Sequence, residues 1–424
     1  RERTPGTMLT RFTVKGFKSL LDATVELGAV NVFIGANGSG KSNILEALGV
    51  MGAAAFGSVE PETLRYRGVR LGLPALYKTS FKGQEPHRAI SFRAEMLEAG
   101  YQLELDNPIE EFQAKWRIIS EKLAVGKTSP LVDRQGRGGM IRVIQGQNIG
   151  GLSFDEQQSM ASRMVDLLDV LRAQQQGAVR EETTQAQELL AALKDYALFA
   201  PVTPVLRGTA EDVARDPLGL GGSGLPTAIQ SLLNEEERTL GPFDLDEIWE
   251  MIEWAQDVSA ARGSEVPLSP AVPTKPIILK FVDRFMAQER NSLSAYDASE
   301  GALYVLFMLA LASHPKAPRI FAVDNFDQAL HPRLAAALTR MVANHIVREG
   351  KRQMLVTTHN PLVLDGLDLR DDRIRLFAVE RGRNGATQIN RVVLSEDLLA
   401  EADKGMSLSR LWVMGRLGGV PRSI

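Results

Sequence analysis

The run Gly35-Ala36-Asn37-Gly38-Ser39-Gly40-Lys41-Ser42 has the residue types and spacing that hold a polyphosphate. It fits the pattern GxxxxGK[ST], and it sits between an apolar strand ending at Ile34 and a helical run. The glycines let backbone N–H groups turn inward onto phosphate oxygens, and the helix N-terminus adds a positive dipole. Lys41 would reach the β- and γ-phosphates of a nucleotide, and Ser42 would offer its hydroxyl to Mg2+. Such a site needs a second carboxylate on the metal side. Ile320-Phe321-Ala322-Val323-Asp324 supplies one, as four apolar residues of a buried strand that present Asp324 at its C-terminal edge. Asp324 would bind Mg2+ through water.

Two further groups could meet a phosphate. Ser299-Glu300-Gly301 opens an apolar helix, and a helix N-terminus favours an anion. His359 follows the apolar strand Met354–Val356, which sets it apart from His87, His314, His331 and His345. His331 reads as structural, capping the loop after Asp324. No pair of histidines has metal-ligand spacing, which argues against a structural zinc site.

These residues need a scaffold, and the hydrophobic pattern outlines one. Thr10–Val14, Asp22–Val25 and Ala29–Ile34 read as strands. Ser42–Met51 carries Ile44, Leu45, Leu48 and Met51 at helical spacing. Lys78–Phe81, Ala89–Met96, Gly100–Leu105, Lys115–Leu123 and Met140–Gln145 are short β-rich runs broken by Gly, Pro, Asn and Asp, which predicts an antiparallel meander. From Phe154 to Phe199 the period turns helical, with a polar break at Gln174–Glu182. A Gly-rich turn, Leu218–Gly224, precedes an amphipathic helix, Leu225–Leu233. Pro267, Pro270, Pro273 and Pro276 predict an extended polyproline-type linker between two lobes over 263–276. Beyond it come a strand (Ile277–Val282), the helix from Gly301, a buried strand (Ile320–Val323), a helix (Pro332–Val347), and a strand (Met354–Thr357). A hairpin of Ile374–Val379 with Thr387–Val393 follows, with Asn384-Gly385 predicting a type I′ turn. The implied division is 1–150, 151–275 and 276–424.

The composition permits all of this and excludes some classes. The chain has 424 residues, 44% of them hydrophobic, enough for a sizeable core. Lys+Arg number 49 against 52 Asp+Glu, which rules out a globally basic nucleic-acid binder. The absence of cysteine removes disulfides and thiol chemistry and fits a reducing cytoplasm. The apolar run Ala302–Ala312 falls far short of the ~20 residues of a membrane span. The polar leader Arg1–Thr7 lacks the apolar core of a signal peptide. No heptad pattern is long enough for a coiled-coil arm.

The order VKGFKSL, GANGSGKSN, DASEG, FAVDNFDQALHP, VTTHNP resembles the ABC-type ATPases of the RecF and overcoming-lysogenization-defect (OLD) group. Within it, the chain resembles the stand-alone ATPases of bacterial anti-phage defence systems. The resemblance covers roughly 8–100 and 195–394. It implies an α/β ABC-type P-loop head, with a mixed core sheet, an antiparallel β-subdomain and a helical insertion. ATP and Mg2+ are the implied cofactors, held by the P-loop from Gly35 through Asn43. Ser299-Glu300-Gly301 then resembles the signature that approaches the γ-phosphate on another subunit, Asp324 the Walker B carboxylate, and His359 the histidine that contacts the γ-phosphate. Leu330-His331-Pro332 matches the "LHP" of the group, and Phe17-Lys18 its nucleotide-side segment. The Gln-loop residue is not identifiable, Gln84 being one guess.

The chain departs from this pattern at Asn325, where the group usually has Glu. An amide can hold water but cannot take its proton. Hydrolysis would slow by roughly 10²–10⁴-fold if nothing substitutes. Either Asp327 or Asp297 takes part of the role, or the protein holds ATP for long periods, or the position carries a trapping substitution. The slow, ATP-held state is the reading preferred. Local basic groups at Arg65, Arg67 and Arg70, at Lys351 and Arg352, and at Arg373, Arg375, Arg381 and Arg383 read as a solvated face or as salt-bridge partners.

The resemblance implies a nucleotide-driven switch formed by a head-to-tail dimer or a higher even oligomer. The segment after His359 is too short for the Toprim nuclease domain of OLD-type proteins, so the effector, a nuclease, would be a separate chain. A phage trigger protein or DNA is a further partner class, and no membrane is implied. The alternatives are a RecF-like DNA-binding repair ATPase and a non-hydrolysing scaffold.

Overall fold

A computed structural model describes residues 8–418 apart from 86, 108–114, 128, 143–147, 154, 174–180, 274 and 396–405. The leader at 1–7 and most of the polar break at 174–182 lie outside the described residues.

Three strands open the chain, β1 (Arg11–Phe17), β2 (Leu20–Glu26) and β3 (Val30–Ile34), followed by α1 (Lys41–Phe56) and α2 (Pro61–Arg65). Six strands come next: β4 (Ala89–Met96), β5 (Ala99–Asp106), β6 (Arg117–Val125), β7 (Val132–Gln135), β8 (Gly138–Arg142) and β9 (Asn148–Ser153). Helices α3 (Met160–Ala173) and α4 (Glu181–Asp195) lead to β10 (Ala197–Phe199). Then follow α5 (Thr203–Leu206), α6 (Leu225–Leu232), β11 (Leu233–Asn234), β12 (Thr239–Leu240), β13 (Phe243–Asp244) and α7 (Leu245–Met251). A third group holds β14 (Ala255–Arg262), β15 (Ile277–Asp283), β16 (Ser292–Ser294), α8 (Glu300–Ser313), β17 (Ile320–Val323) and α9 (Pro332–Glu349). The chain continues through β18 (Gln353–Thr358), β19 (Ile374–Arg381), β20 (Thr387–Val392) and α10 (Leu408–Val413).

The central sheet has the order β10-β17-β18-β3-β19-β20, parallel except for β20. Strands β3, β10, β17 and β18 are buried on both faces, as parallel strands usually are, which is why they read as apolar runs. Val30, Val32, Ile34, Phe321, Val323, Met354 and Val356 point into one core layer, with α8 and α9. Phe33, Ile320, Ala322, Leu355 and Phe377 point into the other, with α1 and α4. The second sheet is the expected antiparallel meander, β2-β1-β4-β5-β6-β7-β8-β9. A three-stranded sheet, β14-β15-β16, leads into α8. No described helix is long and apolar enough to cross a membrane.

Several local expectations are corrected. Lys78–Phe81 forms no strand, only an isolated bridge from Lys78 to Phe17. Residues 263–276 are not a spacer between lobes. They join β14 to β15, and Arg262 pairs with Ile277 across the resulting hairpin. The spaced prolines lack N–H donors and so stay out of the ladder. Asn384-Gly385 is not a type I′ turn, because only Gly385 has positive φ (83°). Gly385 N–H bonds to the Gly382 carbonyl and Gly382 N–H to the Ala386 carbonyl, the pattern of a type I turn closed by a left-handed glycine. Asn384 Oδ1 accepts from Ala386 N at 3.1 Å, bracing the same turn.

Candidate functional site

The parallel register gathers the site. Val323 lies beside Val356, and Thr358 beside Ile34. The C-terminal ends of β3, β17 and β18 therefore bring together the loop before α1, Asp324 and His359.

The loop is shaped for an anion. Gly40 adopts φ +101°, a conformation glycine takes without cost, and a Cβ there would lie 2.1 Å from Thr387 Oγ1. Gly35 packs so closely on Val379 that a Cβ would lie 2.2 Å from its carbonyl oxygen. Gly38, at φ +75°, faces open space. Asn37 is exposed at the tip. The buried Ser39 hydroxyl has no hydrogen-bond partner among the described residues. Lys41 donates to the carbonyls of Gly35 and Ala36 at 2.8 and 2.9 Å. Burial lowers its pKa, and the charges of Asp324 and Asp327 oppose that shift.

Ser42 Oγ donates to Asp324 Oδ1 at 2.9 Å, joining the two groups that would hold Mg2+. An orphaned hydroxyl, an open glycine cradle and a Ser–Asp pair fit a magnesium nucleotide. Asp324 also accepts from Thr357, whose hydroxyl oxygen accepts from Asn325 N at 2.9 Å. The loop is braced from behind. Asn43 Nδ2 donates to Ser19 Oγ at 2.7 Å, Ser19 Oγ lies 2.7 Å from Thr387 Oγ1, and Thr387 donates to the Ser39 carbonyl at 2.8 Å. Sequence reasoning missed Ser19 and Thr387, because nothing local marks a hydroxyl as a brace for a distant loop.

Asn325 is exposed and has φ +55°. Asparagine is among the few non-glycine residues that enter the left-handed region readily, so its presence has a conformational reason as well as a chemical consequence. Asp327 is nearly buried, accepts from Thr358 Oγ1 at 2.8 Å, and has Oδ2 3.5 Å from His359 Nε2. The structure thus joins Asp327 to the histidine. Asp297 is exposed and accepts from Ser294 Oγ at 2.8 Å, in the turn before α8.

Ser299 caps α8, accepting from Ala302 N at 3.3 Å, and Trp254 Nε1 lies 3.4 Å from the same hydroxyl. Glu300 is exposed in the first turn, and a Cβ on Gly301 would meet the Ala329 carbonyl at 3.3 Å. His331 occupies the N-cap position of α9, and its side chain makes no cap hydrogen bond to that helix. Gln84 sits exposed in a turn whose N–H reaches the Phe81 carbonyl, and no described contact ties it to the site.

The basic clusters divide. Arg67 is buried, donating to the carbonyls of Thr63 and Lys194, with its pKa lowered by burial to about 10. It is a strut, not part of a solvated face. Arg70 bonds through Nε to Glu46, which also receives Lys18. Arg373 pairs with Asp371, Arg375 with Asp372, and Arg352 with Glu349, as the salt-bridge reading expected.

Fold and site are similar to those of P-loop ATPase domains, and two stretches of the chain match AAA ATPase families. Residues 188–365 match the family "AAA domain, putative AbiEii toxin, Type IV TA system", and residues 8–67 match "AAA ATPase domain". The loop and its lysine fall in the second match, and Ser299–Gly301, Asp324 and His359 in the first. No curated protein matches the chain. Among solved structures, an SMC head bound to the C-winged helix domain of ScpA is 12% identical, covers 92% of this chain and 99% of its own, and has a TM-score of 0.46. The SMC head domain from Thermotoga maritima is 14% identical over 91% and 98%, at 0.43. An SMC head with an extended coiled coil, bound to the C-terminal domain of ScpA derived from Pyrococcus furiosus, is 13% identical over 94% and 99%, at 0.43. These scores describe a loose likeness of outline.

Proposed function

We propose that the protein binds ATP with Mg2+ and hydrolyses it slowly, acting as a nucleotide-dependent switch or scaffold for a separate effector, a nuclease, in bacterial anti-phage defence. The observation that carries the nucleotide part is the Ser42–Asp324 hydrogen bond beside Lys41. Ser42 and Asp324 would hold the metal, which when bound there neutralises phosphate charge. Lys41 would exchange its carbonyl partners for phosphate oxygens, a stronger charge-assisted contact. Asn325 can position a water but not deprotonate it, which supports slow turnover. Asp327 keeps His359 beside the same edge, where an imidazole could donate to a phosphate or hold the water.

The effector part rests on resemblance. The family description over 188–365 names a putative toxin of a type IV TA system, which suits a protein that acts in conflict systems. Direct DNA binding, the alternative, has less support, because the arginines at 352, 373 and 375 are engaged in ion pairs. Two copies would pair head to tail, with Ser299–Gly301 of one facing the P-loop of the other. Sedimentation with and without Mg-ATP tests this pairing. The expected result is a dimer that forms with ATP and is lost in Ser299→Arg. A monomer under both conditions, or a dimer indifferent to Ser299→Arg, refutes it.

A further inference from the structure

Glu46 lies on α1 among Ile44, Leu45, Ala47 and Leu48, and it is 1% exposed. A buried carboxylate is costly unless it is paired, and an apolar side chain would suit this helix face better for packing alone. Both of its oxygens are used. Lys18 Nζ bonds Oε2 and Arg70 Nε bonds Oε1. The placement of this trio is informative. Glu46 is one helical turn beyond Ser42 and so shares its face of α1. Ser19, next to Lys18, is hydrogen-bonded to Asn43 and lies against Thr387, the brace of the loop. Arg70 is near enough to Asp324 for that carboxylate to help raise its pKa, after the larger effect of Glu46.

Both cations keep donors to spare. The Lys18 side chain is 21% exposed and the Arg70 side chain 69%. Arg70 spends only Nε on Glu46, and its two terminal nitrogens have no hydrogen bond among the described residues. That leaves a planar fork of N–H groups, the geometry that grips phosphate. The Lys18 ammonium is steered from behind by the ring of Tyr77, whose centroid is 4.9 Å away.

We infer that Glu46 is a positioning residue of the nucleotide site, holding Lys18 and Arg70 as two further cations beside Lys41 for the phosphates of a nucleoside triphosphate. The inference rests on the P-loop reading above. It gives Glu46 and Arg70 a role, and it explains why a charge is kept inside an apolar helix.

The test is the dissociation constant of the full chain for ATP, ADP and AMP in Mg2+, by calorimetry. Arg70→Ala and Lys18→Met should each weaken ATP by roughly tenfold or more, ADP less, and AMP little. Glu46→Gln should weaken ATP at least as much as either, and Glu46→Asp should recover part of the loss. A purely structural ion pair would lower unfolding midpoints without changing the ATP-to-AMP ratio, and that result overturns the inference. If Glu46→Gln fails to fold, Arg70→Ala still decides, because its side chain is mostly exposed. Wild-type ATP affinity in Arg70→Ala and Lys18→Met, with Lys41→Ala unable to bind, sinks this inference and leaves the P-loop reading intact. Wild-type affinity in Lys41→Ala sinks that reading itself.

Discussion

Asn325→Glu sets two effects of known size against each other. The substitution supplies the carboxylate that could take a proton from water. General-base catalysis is worth roughly 10²–10⁴-fold, or about 2.7–5.5 kcal/mol of barrier. It also places a glutamate at φ +55°. The left-handed region costs an ordinary L-residue roughly 1–2 kcal/mol, a cost asparagine partly escapes. Even if all of that strain fell on the reacting state, it would remove about a factor of 5–30, less than the lower end of the gain. Folding would survive, since domains are stable by about 5–15 kcal/mol. The variant should therefore lose about 1–2 kcal/mol in urea unfolding and release phosphate from bound ATP at least about threefold faster in single turnover. A variant that keeps ATP affinity and releases phosphate no faster than the parent refutes the assignment of Asn325 as the slow element.

Two further outcomes follow from named contacts. Thr357→Val keeps the shape but removes the donor to Asp324 and the acceptor for Asn325 N, and it should cost roughly 2–5 kcal/mol in denaturant unfolding. A midpoint within 0.5 kcal/mol of the parent, on the order of a surface change, would contradict it. His314 and His345 both have pKa values lowered from 6.5, chiefly by burial. The folded state holds them neutral while the unfolded chain protonates near 6.5, so their contribution is full above that pH and falls as pH drops through it. The urea midpoint should decline from pH 7 to pH 5 and decline less in His314→Gln or His345→Gln. An equal slope in all three proteins would dismiss the linkage.

Much of the site was legible because its signals are local. A glycine loop between strand and helix, and an apolar run ending in Asp324, state their geometry in adjacent residues. The meander was legible because turn residues interrupt alternating runs. The hairpin joining β14 and β15 was not, since only two positions of β14 are fully buried and the spaced prolines read as an extended segment. Asn325 was read by its chemistry alone, although its backbone conformation is an equal reason for the residue. Glu46 was overlooked, yet one carboxylate within ILEALG is a signal that a charge partner lies across the fold. Arg67 and Arg70 look alike in sequence and separate in the structure, one a buried strut and the other a surface fork. Only tertiary position distinguishes them.

The central claim is a magnesium-dependent nucleotide site made by Lys41, Ser42 and Asp324. Its most direct test is ATP binding by the purified chain, titrated with and without Mg2+, alongside Lys41→Ala. The account predicts saturable binding that weakens when Mg2+ is chelated and falls by at least a hundredfold in Lys41→Ala, on the order of two charge-assisted contacts. Equal affinity in the parent and in Lys41→Ala would contradict it.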